Sequence, residues 1–103
     1  MRTIQKYLVE ARSVKDDEQY VETILDVPSG LCNILCIQME YNYPFIFIEV
    51  NKNASVQDEI RVGCVESGCA IPINGRYFGT VIKYVGSVIQ PQSKAYHFYV
   101  LPN

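Results

Sequence analysis

A chain of 103 residues, 49 % apolar and 19 % charged, fits one globular domain and excludes a disordered one. Its net charge of −2 argues against a dedicated nucleic-acid binder, which needs an excess of Lys and Arg to displace counterions. So short a chain buries only about two-thirds of its unfolded surface, a shortfall that subunit pairing relieves, so a homodimer is expected.

The first stretch, "MRTIQKYLVEARSV", interrupts any apolar run with Lys6, Glu10 and Arg12, which does not suit a signal peptide. No window approaches the roughly 18–20 apolar residues of a membrane span, and the expected location is cytoplasmic. Ile4, Leu8 and Ala11 have helical spacing, whereas Tyr7, Val9 and Ala11 alternate as in a strand. "YVETILDV" alternates throughout, with Val21, Thr23, Leu25 and Val27 on one face and Tyr20, Glu22, Ile24 and Asp26 on the other. A helix from Asp17 competes, but Thr23 and the valines favour a strand that ends at "PSG". With "KDDEQ" as a solvated loop, the two segments read most economically as a β-hairpin.

"LCNILCIQME" and "FIFIEV" are joined by "YNYP", where proline restrains itself and its predecessor in a turn. A four-residue loop, Tyr41 to Pro44, sets Met39 opposite Ile46. Leu35, Ile37, Met39, Ile46, Ile48 and Val50 then share an aliphatic face that must be core. Phe45, Phe47 and Glu49 share the other with Cys36, Gln38 and Glu40. Rings beside carboxylates are the composition of an interface; the alternative is that a second sheet covers the rings and leaves the polar groups at its margin. Tyr41 and Tyr43, at the loop tip, offer flat apolar area with a hydroxyl handle to a protein partner or a stacked ring.

"NKNAS" ends that hairpin. "EIRVGCV" and "CAIPI" flank a Glu-Ser-Gly turn, and "AIPI" and "RYFGTVIKYVG" flank Asn74-Gly75, the strongest hairpin signal in the chain and one suited to a type I′ turn. Pro72 cannot donate to a ladder and marks its strand as an edge. "SVIQPQS" reads as a loop and "AYHFYVL" as a closing strand. The expected fold is therefore all-β, a single domain over residues 1–103 built as a small antiparallel sandwich or barrel of about seven to eight strands. "GRYFGTVIKYVGSV", Gly75 to Val88, resembles the stretch of SH3-like barrels, notably CAP-Gly domains, where a Gly-Thr-Val strand leads to a Tyr-Val-Gly turn. The resemblance implies an SH3-like arrangement in the second half. The Gly-Lys-Asn-Asp-Gly groove motif of CAP-Gly domains does not follow, so their peptide binding is not implied.

Four cysteines raise the question of zinc. On a strand, Cys32 and Cys36 would lie about 13 Å apart, too far to share a metal that holds each sulfur at about 2.3 Å. They read as small core residues, and no metal or cofactor is expected. Cys64 and Cys69 flank the tight turn "CVESGC" and could reach disulfide distance, although free thiols are expected in a reducing compartment. His97, the one histidine, shares a face with Ala95 and Tyr99, and no thiol adjoins it in sequence.

Arg61, Arg76, Tyr77 and Lys83 form a second candidate site, since Arg beside an aromatic ring can clamp a phosphate or carboxylate while the ring stacks. The leading expectation is a non-catalytic binding protein that acts by occupancy on a protein partner and self-associates, with Tyr41, Tyr43, Phe45 and Phe47 at its contact surface. In general character it resembles the small inhibitor and sequestering proteins of phages and bacterial conflict systems. One alternative is a protein that binds a nucleotide-like anion. Another is a thiol enzyme using His97.

Overall fold

Period-two alternation produces strands along almost the whole chain. The computed structural model describes residues 1–30 and 33–103. Among them are seven strands: β1 (Arg2–Leu8), β2 (Val21–Pro28), β3 (Asn33–Glu40), β4 (Tyr43–Asn51), β5 (Gln57–Glu66), β6 (Arg76–Gly86) and β7 (Pro91–Leu101). They form two antiparallel sheets, ordered β1-β4-β3 and β2-β5-β7-β6. No helix among the described residues is long and apolar enough to cross a membrane.

The sheets pack through the aliphatic face of β4, the face expected as core, and the Val21–Val27 face of β2. Ile46, Ile48 and Val50 of β4 meet Val21, Leu25 and Val27 of β2 and Val62, Cys64, Tyr96 and Phe98 of β5 and β7 in one buried cluster. Burying a side chain of this size stabilises the fold by about 1.5–3 kcal/mol. Burial also explains the thiol of Cys64, whose pKa desolvation pushes up to about 12.

β7 begins at Pro91, so the last three residues of the expected loop "SVIQPQS" are strand and pair with β6. The pairing departs from the sequence reading in four further places. First, β1 pairs with β4 and not with β2. Val9 and Ala11 are buried, so the chain dives through the core as it changes sheets instead of turning back on itself. Second, the β3–β4 turn has two residues, Tyr41 and Asn42, at φ 50° and 65°, as a type I′ turn requires. Pro44 therefore pairs with Met39, and Ile37 with Ile46. That slip of two residues keeps residues 36–40 on their expected faces.

Third, a bulge between Ile34 and Cys36 places Ile34 opposite Ile48 and leaves Leu35 exposed, so Ile34 takes the core position expected of Leu35. Fourth, "AIPI" is not a strand. β7 lies between β5 and β6 and occupies the ladder position that segment would need. Asn74 does adopt a left-handed φ of 59°, but in a turn closed by Gly75 N–H donating to Pro72 O at 3.1 Å, not in a hairpin.

The crossing segment is braced by charge. Arg12 donates to both carboxylate oxygens of Glu18, at 2.7 and 2.9 Å, and to Glu10 at 2.8 Å, while the Lys15 N–H donates to Glu18 at 2.9 Å. The guanidinium first and then the amide hold the Glu18 carboxyl at about 2, below its ordinary 4.5. A carboxyl whose pKa falls on folding stabilises the fold above the unfolded value, and the gain vanishes as pH falls through the folded value. Acid unfolding should therefore steepen between pH 4.5 and 2, and Glu18→Gln should flatten that window in a pH series of urea midpoints. Superimposable curves for the two proteins would sever the link.

Candidate functional site

The second sheet does not cover Phe45 and Phe47. It packs on the Ile46, Ile48 and Val50 side of β4, so both rings point away from it. The register builds the outer face in rows. Ile4, Glu49 and Asn33 form one row, Lys6, Phe47 and Cys36 the next, and Leu8, Phe45 and Gln38 the third, with Tyr43 and Glu40 beyond. Ile4, Leu8 and Tyr43 are each more than half exposed, and Leu35 is nearly so. Phe45 and Phe47 are half-buried. Cys36 lies half-buried opposite Phe47, on the face where alternation sets it, and not in the core as a small buried thiol. Cys32 lies outside the described residues.

Charge frames the rings without sealing them. Lys6 Nζ stands 4.8 Å from the centroid of Phe45 and donates to Glu40 at 2.6 Å, a cation strapped diagonally across the ring. Arg2 lies 3.4 Å from Glu49. Exposed pairs of this kind contribute about 0–1 kcal/mol and a surface cation–π contact about 0.5–1 kcal/mol, so neither opposes docking strongly. The cations stand on β1 and the carboxylates on β3 and β4.

Tyr41 is 97 % exposed at the turn. Its neighbour Asn42 fixes that turn, donating from Nδ2 to Tyr84 O at 2.9 Å and accepting from Tyr84 N–H at 3.0 Å. The side-chain amide thus fills one rung on the free edge of β6. Ile4 and Leu8 were missed as site residues because β1 had been paired with β2. Their signal was the alternation Ile4, Lys6, Leu8, apolar and charged groups on one exposed face.

Arg61, Arg76, Tyr77 and Lys83 do not converge. Arg61 pairs with Leu101 and Arg76 with Val100, successive residues of β7, which places the two arginines on opposite faces. Arg61 is engaged by Glu22 at 2.6 Å and by Pro102 O at 2.6 Å, and the Glu22 contact raises its pKa. Lys83 points inward and donates to Ala11 O at 2.8 Å. The anion-binding constellation is not assembled.

Tyr77 instead joins His97 on the outer face of the four-stranded sheet, through Thr80. His97 meets hydroxyls and not a thiol: Ser67 Oγ lies 2.8 Å from Nε2 and Thr80 Oγ1 2.8 Å from Nδ1. Cys64 and Cys69 are free and belong to different clusters, Cys64 to the core and Cys69 to the cover over Val65, Tyr99 and Leu101. No group of three or more His, Cys, Asp or Glu among the described residues is placed to hold a metal ion.

The family described as "Domain of unknown function (DUF7352)" matches residues 1–103. The chain belongs to that family. No curated protein and no solved structure matches it. Membership in DUF7352 brings no ligand or reaction with it.

Proposed function

We propose that this chain is a binding protein that acts by occupancy, and that the outer face of the β1-β4-β3 sheet is its contact surface, closed in the unbound protein by a second copy. The observation that carries the reading is the exposure of Ile4, Leu8, Leu35 and Tyr43 around two half-buried phenylalanine rings on a face with no second layer. Contiguous apolar area of this kind on a small domain marks an interaction site. The charge layout favours a copy of itself. A two-fold axis along β4 sets β1, with Lys6, above the partner's β3, with Glu40, so cation and carboxylate face each other on both sides of the axis. Sheets stack at about 10 Å, a spacing that side chains such as Phe47 and Leu8 fill.

Phe47→Asp buries a carboxylate at the middle of that contact and should convert a dimer to a monomer by light scattering, with the β-sheet circular dichroism unchanged. A wild-type protein that is monomeric at high concentration, or a variant of unchanged mass, removes the proposal.

A further inference from the structure

Ser67, His97, Thr80 and Tyr77 form one unbroken run of hydrogen bonds on the other outer face, that of the β2-β5-β7-β6 sheet. Ser67 Oγ is 2.8 Å from His97 Nε2, His97 Nδ1 is 2.8 Å from Thr80 Oγ1, and Thr80 Oγ1 is 2.6 Å from the Tyr77 hydroxyl. Three parts of the fold bring them together. Thr80 is the ladder partner of His97, and Tyr77 that of Tyr99, whose ring it meets edge-on at 5.6 Å. Ser67 arrives from the turn after β5, which closes through Cys69 N–H donating to Glu66 O at 3.1 Å, with Gly68 at φ 94° in the third position of a type II turn. The Ser67 N–H donates to Ala95 O at 3.2 Å and ties the turn to β7. The serine is thus held against the imidazole by backbone on both sides.

Proton counting shows what the run can do. A neutral imidazole has one N–H and one acceptor nitrogen. With Nδ1–H donating to Thr80, the Thr80 proton goes to the Tyr77 oxygen, and Nε2 is left to accept from Ser67. That leaves a hydroxyl aimed at a base, beside a depression of about 310 Å³ lined by Val65, Cys69, Ile71 and Tyr99 and by Glu66, whose carboxylate is paired with Lys94 at 3.4 Å. The Gly68 N–H, next along the chain, has no acceptor among the described residues.

We propose that Ser67 is an acyl-accepting nucleophile, with His97 as its general base and Thr80 and Tyr77 as positioning residues, acting on esters with a short apolar acyl group. Ser67 Oγ attacks the carbonyl carbon and forms the new C–O bond as its proton passes to Nε2. The ester C–O bond breaks, and the leaving alcohol takes that proton from the imidazolium. Water, deprotonated by the same nitrogen, then releases the acid and restores the serine. A threonine behind the imidazole supplies no negative charge to the imidazolium, so turnover is slow and covalent capture is the sharper readout. The inference is independent of the interface on the three-stranded sheet.

An alkyl fluorophosphonate tests it, since Oγ–P bond formation expels fluoride and passes the Ser67 proton to His97. One adduct should appear by intact mass and map to Ser67. It should vanish in Ser67→Ala, a change at an exposed turn, and form at least tenfold more slowly in His97→Gln. The pH profile of the labelling rate should differ from the wild type in both His97→Gln and Thr80→Val, which a merely structural run of bonds would not produce. No adduct beyond that of the unfolded protein, an adduct at another residue, or a rate indifferent to His97→Gln overturns the proposal.

Discussion

Phe98→Ala should lower the stability of the fold by about 3–5 kcal/mol, the range for removing a fully buried phenylalanine. A domain of this size has about 5–15 kcal/mol in all, so this one truncation removes about a fifth of it or more. The size of the effect follows from position. Phe98 is 0 % exposed and lies on β7, the strand that joins β5 to β6, opposite Cys64 on one side and Gly79 on the other. Its ring tilts against Phe78 at 6.2 Å, and the aliphatic face of β4 closes the same cluster. Few neighbours can move into the space, because β7 is hydrogen-bonded on both edges. Urea unfolding at fixed protein concentration should show the midpoint falling with the slope preserved. Ile89→Ala, at a side chain 91 % exposed in the β6–β7 loop, should change stability by less than about 0.5 kcal/mol. A Phe98→Ala loss below about 1 kcal/mol would mean that the sheets collapse onto the gap and that the core is not a fixed jigsaw.

The legible part of this fold was the part with local causes. Alternation grouped Val21, Leu25 and Val27 on one face of β2 and set Ile46, Ile48 and Val50 on the core side of β4, and the structure buries all six. It also separated Phe45 and Phe47 from them, since side-chain direction within a strand needs no knowledge of the partner strand. What that face meets was not legible, because it depends on which strands are neighbours. β1 pairs across some 40 residues with β4, and nothing local distinguishes that choice from a hairpin with β2. The same holds for the site around His97. Ser67, Thr80 and Tyr77 are ordinary turn and strand residues in the sequence, and only the order β5-β7-β6 brings them to one imidazole. The Asn74-Gly75 signal misled for a related reason. It reported a backbone preference correctly at Asn74, but a hairpin also needs a free ladder position, and β7 had taken it.

Gly79→Ala should cost about 1–3 kcal/mol although alanine suits a strand better than glycine, because the methyl group has nowhere to go. A Cβ built at Gly79 would stand 2.5 Å from Ile37 Cγ2, across the gap between β6 and β3. That methyl is not the loose end of a long chain. It hangs from a β-branched carbon whose χ1 is restricted, so relief requires β3 to lift away from β6. Gly79 can be this close because a bulge inserts Phe78 between the paired residues Tyr77 and Gly79, turning the bare Cα toward the other sheet. Ile37→Ala removes the obstructing methyl, and the two changes should couple. The double variant should be more stable than the two separate losses imply, by about 0.5–3 kcal/mol. Additivity within about 0.5 kcal/mol would show that the sheets accommodate the methyl elsewhere. The displacement has a second readout. β3 carries Glu40 and Cys36 on the aromatic face, and its turn is tied to β6 by Asn42. Lifting β3 at Ile37 tilts that face, so Gly79→Ala should also weaken the proposed self-association in light scattering, and adding Ile37→Ala should restore it.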